Sequence, residues 1–216
     1  MKIYNDINEI NFDELPDKFV LKLNHGSNMN IICNDKSKLN IKESLKTLQN
    51  WKNMNYGFIG NEFQYLYIKR KIFAETFLGD DLIDYKIFCF NGNPKFIRIR
   101  KIINRNDSNP IKIHNHYDPN WKLNELESGL EDYIRDPNII IEKPKKLGLM
   151  LKYARLLSQE FVFVRVDLYE VNGKVYLGEL TFSPSNSFVP WKNKEQSIQV
   201  AKLMDINKIK NYLFNK

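Results

Sequence analysis

Two acidic residues sit on what reads as one β-hairpin, in Phe163-Val164-Arg165-Val166-Asp167-Leu168-Tyr169 and Tyr176-Leu177-Gly178-Glu179-Leu180-Thr181. Polar groups interrupt two otherwise apolar strands at matched positions. Burying an unpaired carboxylate is costly, so acids in this setting need a partner, and a bound cation is one. Hard oxygen ligands suit Mg²⁺, which keeps several waters and takes one or two carboxylates together with substrate phosphates. Asp167 and Glu179 fit that chemistry. Arg165 is placed to stabilise charge that builds up in phosphoryl or acyl transfer. A cross-strand Arg–Glu ion pair with a lone Asp is the other reading of the same residues.

The hairpin register follows from the pattern. Asn172-Gly173 is a turn signal. A two-residue turn pairs Val171 with Lys174, sets Asp167 opposite Gly178, and scatters the polar groups over both faces. A three-residue loop from Val171 to Gly173, with Gly173 left-handed, pairs Glu170 with Lys174 and sets Arg165 opposite Glu179. Arg165, Asp167, Glu179 and Thr181 then share one face, and Val162, Val164, Val166, Leu168, Leu180 and Phe182 the other. A one-residue slip inverts every side chain, so the apolar pattern selects the three-residue loop.

Three further groupings carry chemical residue types. Lys22 ends a short strand just before His25-Gly26-Ser27-Asn28. A lysine there can hold a phosphate as a point charge, with backbone N–H groups and a hydroxyl from the turn; an ordinary hairpin is the plainer reading. Glu75, in the apolar stretch Ile72 to Leu78, can accept from a ribose hydroxyl or adenine amine, with Phe77 and Leu78 as apolar wall and backbone partners. The plainer reading is a strand-edge acid in solvent. Asp84 and Lys86 share a strand face at i and i+2, as a site pair or a surface ion pair. His114 and His116 would share a strand face as well, but no third metal ligand follows at a recognisable spacing. No Ser–His–Asp or Cys–His nucleophile arrangement is visible.

These residues need strands and helices to hold them. Phe19–Leu23 and Asn30–Cys33 read as strands around a turn. A helix runs from about Ile41 to Met54 by its N-cap signal, with Asn40 as N-cap, Glu43 at the capping-box position, and Ile41, Leu45, Leu48 and Trp51 as its apolar stripe. Lys71–Leu78, Asp84–Phe90 and Pro94–Arg100 read as strands, the last two joined at Asn91-Gly92-Asn93. The segment from Arg105 to Lys143 reads as polar and irregular. A helix follows Pro144, and helical sequence runs from Lys194 to Phe214. This mixture is α+β rather than a regular βαβ alternation.

The bulk properties narrow the class. The 216 residues are 43% hydrophobic and 27% charged, which is globular composition. No apolar run is long enough for a membrane span, and the N-terminal residues lack a signal-peptide core. Cys33 and Cys89 read as small buried residues in a reducing compartment, so the cytoplasm is expected. The formal net charge of +7 admits nucleic-acid binding. Basic residues nevertheless alternate with acids, and the clusters Lys69–Lys71 and Arg98–Arg105 fall on strand-like segments. A solvated surface, or attraction to an anionic small molecule such as ATP, is the better reading.

The order of these groupings resembles the ATP-grasp superfamily. More closely, Leu15-Pro16-Asp17-Lys18-Phe19-Val20-Leu21-Lys22, Asn24-His25-Gly26-Ser27, Ala74-Glu75-Thr76-Phe77-Leu78, Asp84 to Gly92, Phe163 to Tyr169 and Gly178-Glu179-Leu180-Thr181-Phe182-Ser183-Pro184 are similar to the TupA-like ATP-grasp family. Its members occur in bacterial teichuronopeptide and capsular polysaccharide biosynthesis and are often labelled glycosyltransferases. The resemblance implies a small lid subdomain (residues 1–78) over a larger antiparallel core (79–216). It implies that Lys22 touches ATP phosphates, that His25 to Asn28 form the phosphate loop, and that Glu75 to Leu78 flank the adenine. It places Asp84 at the ribose, gives Mg²⁺ to Asp167, Glu179 and Thr181, and has Arg165 steady an acyl phosphate. Two departures stand out: the chain is short ahead of Phe12, and Pro184-Ser185-Asn186-Ser187 replaces a glycine-bearing loop.

The function so implied is an ATP- and Mg²⁺-dependent ligase that joins a carboxylate to an amine or similar nucleophile, within cell-surface polysaccharide synthesis. The rival is a glycosyltransferase using a nucleotide-sugar; a non-catalytic nucleotide-binding remnant is the third reading. The expected partners are small or glycan-linked substrates and a homo-oligomer or partner chain, with no nucleic acid and no membrane span.

Overall fold

Alternation of buried and half-exposed residues in Phe19-Val20-Leu21-Lys22-Leu23 makes this segment a strand with one face in a core. The computed structural model describes residues 1–80, 82–103, 110–129, 132–184, 190–205 and 207. The chain forms two units, Met1–Asp80 and Asp81–Lys216.

The first unit has a four-stranded antiparallel sheet in the order β1-β4-β2-β3. Its strands are β1 (Lys2–Tyr4), β2 (Phe19–Leu23), β3 (Asn30–Cys33) and β4 (Ile72–Thr76). Phe19, Leu21, Ile72 and Ala74 face a core closed by helix α1 (Ile41–Asn53). Asn40 caps that helix, its side chain accepting from the Glu43 amide at 3.1 Å. Leu48 is fully buried, and Leu45 and Trp51 pack partly against the core. Ile41 does not join the stripe; it is exposed at the first turn. A short helix, α2 (Tyr56–Ile59), follows.

The second unit has a five-stranded antiparallel sheet in the order β7-β6-β5-β8-β9. These are β5 (Tyr85–Phe90), β6 (Asn93–Ile103), β7 (Ile111–Tyr117), β8 (Phe163–Val171) and β9 (Lys174–Thr181). Helix α3 (Leu147–Ser158) covers one face, where Met150 and Ala154 meet Ile87, Ile97, Val164 and Val166. Helix α4 (Lys194–Ala201) ends sooner than the sequence suggests; the expected helical stretch 208–214 and the loop residues 185–187 lie outside the described residues. Cys33 and Cys89 are buried and unbridged, as expected. Among the described residues no helix is long and apolar enough to cross a membrane.

Strand β7 corrects the irregular reading of 105–143. Its centre, His114-Asn115-His116, is polar yet buried, so it shows no apolar alternation. Asn115 is satisfied by backbone: its Nδ2 donates to the Asp136 and Ile139 carbonyls, and its Oδ1 accepts from the Asp136 amide. Nε2 of each histidine is paired across the sheet, accepting from an arginine of β6, while each Nδ1 is buried with no hydrogen-bond partner among the described residues.

The carboxylate hairpin corrects the turn. Val171 pairs with Lys174 across a two-residue Asn172-Gly173 turn, both residues at positive φ (50° and 73°), as such tight hairpins require. That register alone would split the polar groups. A bulge restores them: Leu168 pairs with Leu177, then Asp167 with Glu179, so Gly178 is the extra residue. A Cβ at Gly178 would lie 2.7 Å from the Tyr169 ring and 3.2 Å from the Asp167 carbonyl oxygen. Arg165, Asp167, Glu179 and Thr181 therefore share a face, but Arg165 stands opposite Thr181 rather than Glu179.

Candidate functional site

In the first unit, Lys22 and Glu75 project from β2 and β4 on the face away from the core. Their side chains pair at 2.6 Å, each about one-third exposed (34% and 32%), so both remain open to solvent on one side. Val20 and Phe73 flank them on this half-exposed face. Phe77 and Leu78 follow the end of β4 and are half-buried, and Ser27 and Asn28 lie at the accessible end of the turn, Asn28 at φ 59°.

His25 departs from the expected phosphate loop. It is buried, its Nε2–H donating to the Trp51 carbonyl at 3.1 Å. Burial and then Arg70 depress its pKa. The side chain ties the turn to the end of α1. Gly26 is tight against Met29 and Tyr56, which closes the same turn from beneath.

In the second unit, backbone register lines up a polar row across all five strands: His116 opposite Arg98, Arg98 opposite Lys86, Lys86 opposite Asp167, and Asp167 opposite Glu179. Lys86 Nζ bonds Asp84 and lies 2.6 Å from Asp167 Oδ2. Arg165 forks onto Asp167, Nε to Oδ1 and Nη2 to Oδ2, both at 2.7 Å. The same Nη2 reaches Glu179 Oε1 at 2.8 Å and Thr181 Oγ1 at 2.9 Å. Asp84 and Lys86 thus belong with the hairpin acids, not to a separate surface pair.

Electrostatics explain which groups hold charge here. Burial pushes the Asp167 carboxyl upward, but the adjoining Arg165 and Lys86 cations outweigh it and hold it below the usual range. Asp84 goes the other way: burial raises it, Lys86 opposes only in part, and its Oδ1 is buried with no hydrogen-bond partner among the described residues. Burial, then Arg98 and Arg100, drive His114 down to about 2; burial, then Arg98 and His114, depress His116. Both imidazoles are neutral acceptors of arginine N–H groups, which leaves them unsuited to bind a cation. That agrees with the plain reading of the His-x-His pair.

The donor set of this cluster suits a hard divalent ion. Asp167 is ionised, Glu179 faces the same side with its side chain half-exposed at 52%, and the Thr181 hydroxyl adjoins it at 2.9 Å. Three carboxylates (Asp84, Asp167, Glu179) face two cations (Lys86, Arg165). Among the described residues no cluster of three or more His, Cys, Asp or Glu side chains is arranged to hold a metal. Two carboxylates suffice for an ion that also takes phosphate oxygens and water.

Arg98, Arg100 and His116 complete this face, although by sequence the Arg98–Arg105 cluster reads as solvated surface. The signal present is the i, i+2 spacing of Arg98 and Arg100. That spacing does not reveal the strand pairing that sets Arg98 beside Lys86.

Comparison with known proteins gives three findings. No curated protein matches. Solved structures that match include D-alanine–D-alanine ligase from Bacillus anthracis complexed with ATP (18% identity, TM-score 0.47, covering 83% of this chain and 47% of that one). A second structure of D-alanine–D-alanine ligase from Bacillus anthracis (18%, 0.45, 91% and 54%) and one of the ligase from Helicobacter pylori (16%, 0.36, 81% and 44%) also match. The chain therefore spans about half the length of these ligases. Residues 1–204 match the TupA-like ATPgrasp family, and with nearly the whole chain so covered, this protein belongs to the TupA-like ATP-grasp family.

Proposed function

We propose that this protein is an ATP-dependent ligase that activates a substrate carboxylate as an acyl phosphate and passes it to an amine or similar nucleophile, in bacterial cell-surface or capsular polysaccharide synthesis. Membership in the ATP-grasp family supports the reading at the level of ATP use. The observation that carries it is the pairing of Asp167 with Glu179 on one sheet face, with Arg165 between them.

In this reading the first unit supplies Lys22 and the backbone around Gly26, Ser27 and Asn28 to the phosphates. Glu75, Phe77 and Leu78 serve the adenine side. Asp84 and Lys86 serve the nucleotide from the second unit, and Asp167, Glu179 and Thr181 hold Mg²⁺. When bound, that ion neutralises charge on the transferring phosphate oxygens.

Arg165 keeps Asp167 ionised and oriented through its Nε and Nη2 donors. Its Nη1 makes no hydrogen bond among the described residues, so that group is available to an oxygen of the acyl phosphate or of the tetrahedral adduct. The nucleophile's attack forms the new acyl bond, and inorganic phosphate departs with the electron pair of the cleaved acyl–oxygen bond. Such a reaction draws on cytoplasmic ATP, and unbridged Cys33 and Cys89 suit that compartment.

A thermal-shift panel tests the nucleotide assignment. ATP with Mg²⁺ is expected to raise the melting temperature, and UDP-sugars to leave it unchanged. The reverse pattern would return the protein to the glycosyltransferases. ADP release that requires both a carboxylate and an amine would establish the reaction, read by product mass.

A further inference from the structure

The polar face of the second sheet continues into a cavity of about 340 Å³ whose walls include Phe88, Phe90, Phe163 and Trp191. Among the described residues one charged side chain lines it, Arg98. The Arg98 guanidinium carbon lies 4.9 Å from the Phe88 ring centre and 5.6 Å from that of Trp191. Its Nε donates to His116 Nε2 at 3.0 Å. That imidazole is neutral, so it orients the guanidinium without compensating its charge. No carboxylate pairs with Arg98 among the described residues, whereas Lys86 and Arg165 on the same face each hold acids. Nor do its Nη groups make a hydrogen bond among the described residues.

The walls are well fixed. Phe88 stacks on Phe96 at 4.5 Å. Trp191 meets Phe96 edge-on at 5.5 Å and pairs with Ser128 through the backbone. Among the described residues Arg98 makes no ion pair; the contacts of its guanidinium are two aromatic rings and a neutral imidazole. Burial, then Arg165 and Arg100, lower the Arg98 guanidinium to about 9, with Asp167 opposing only in part. An arginine fork matches a carboxylate in two parallel hydrogen bonds. Ligand pockets of roughly 300–1,000 Å³ combine apolar walls with a few polar groups that set orientation.

We propose that this cavity binds a small monocarboxylic acid with an apolar body, its carboxylate held by the Nη groups of Arg98 and its body against Phe88, Phe163 and Trp191. One cation calls for one negative charge. A phosphate dianion would keep half of its charge unpaired in an apolar site, and a hydroxylated sugar acid would lose solvent from hydroxyls that Phe88, Phe90 and Phe163 cannot bond. The site does not rest on the ligase reading, and its test uses no nucleotide.

The full chain is titrated with 3-phenylpropionate, with 3-phenylpropionamide, and with glucuronate, reading tryptophan fluorescence, to which Trp191 contributes from the cavity wall. Saturable binding of 3-phenylpropionate is expected, at least tenfold tighter than that of either other compound, with the fluorescence change lost in Trp191→Phe. Arg98→Met is expected to reduce the acid to the amide's affinity. Equal binding of acid and amide, tighter binding of glucuronate, or no saturable binding of the acid would overturn the proposal. The acid–amide comparison needs no variant, so it decides the matter even if Arg98→Met fails to fold.

Discussion

Asp167 and Glu179 stand directly opposite each other on β8 and β9 and share one donor, Nη2 of Arg165, at 2.7 and 2.8 Å. Asp167 is buried to 1% side-chain exposure, so its charge depends on that guanidinium and on Lys86. Removing one member of a buried pair costs about 3–5 kcal/mol, because the other charge is left uncompensated. Arg165→Met is expected to destabilise by that amount in urea denaturation. Arg165→Lys should recover only part of it, since an ammonium cannot fork onto both oxygens. A loss within experimental error for Arg165→Met would mean that Lys86 alone suffices.

Glu179 separates fold from chemistry. Its side chain is half-exposed, so Glu179→Gln should leave stability within about 1 kcal/mol. If the acid holds Mg²⁺, the Mg²⁺ concentration giving half-maximal ATP turnover should rise at least about tenfold, the scale seen when a metal site loses a supporting group. An unchanged Mg²⁺ dependence would remove Glu179 from the ion's ligands.

The Lys22–Glu75 pair offers the same separation in the first unit. Both side chains are partly solvated, and such pairs contribute about 0–1 kcal/mol. Lys22→Ala should therefore fold normally in thermal melts. Its ATP-induced rise in melting temperature should vanish, and a retained rise would place the phosphates elsewhere.

Gly178 is expected to resist substitution. Ala or Val there meets the Tyr169 ring and the Asp167 carbonyl, and overpacking of this kind costs about 1–3 kcal/mol. Gly178→Val should also weaken ATP turnover, because relieving the clash by closing the bulge would turn Glu179 to the other face. Gly173→Ala, with open space around its Cβ position but φ at 73°, should affect stability and leave the face intact.

All three histidines of the chain, His25, His114 and His116, are buried with depressed pKa values. A group with a folded pKa below its unfolded value lends stability that is present above the unfolded value and lost as pH falls below it. The unfolding free energy should therefore fall as pH drops from 7 to 5, with a slope approaching about 1.4 kcal/mol per pH unit for each of His114 and His116 once below 6.5, and with His25 acting in the same direction. Asp84 acts in the opposite sense: its raised pKa lends stability at low pH that is lost as pH rises through its folded value. One carboxyl is outnumbered by three imidazoles in this window. A flat stability profile between pH 7 and 5 would contradict the neutral, buried state of the histidines.

Much of the architecture was legible from local signals. The Asn40 cap, the Asn91-Gly92 and Asn172-Gly173 turns, and the apolar strands of β5, β8 and β2 depend on neighbours a few residues away. Family membership was legible too, because several motif words in one order are carried by the sequence itself. Strand β7 was not legible, since its buried histidines accept at Nε2 from arginines of β6, and no local pattern marks a polar residue that another strand will pair.

The hairpin shows where the division falls. Alternation alone determined that Arg165, Asp167, Glu179 and Thr181 must share a face, because the opposite arrangement would put charges among Val164, Val166 and Leu168. How the chain achieves it was decided in three dimensions, by a tight turn followed by a bulge at Gly178, since two routes to the same parity look alike in one dimension. The row from His116 through Arg98 and Lys86 to Glu179 likewise exists only after five strands pair, because hydrogen-bond register between distant segments sets which side chains become neighbours.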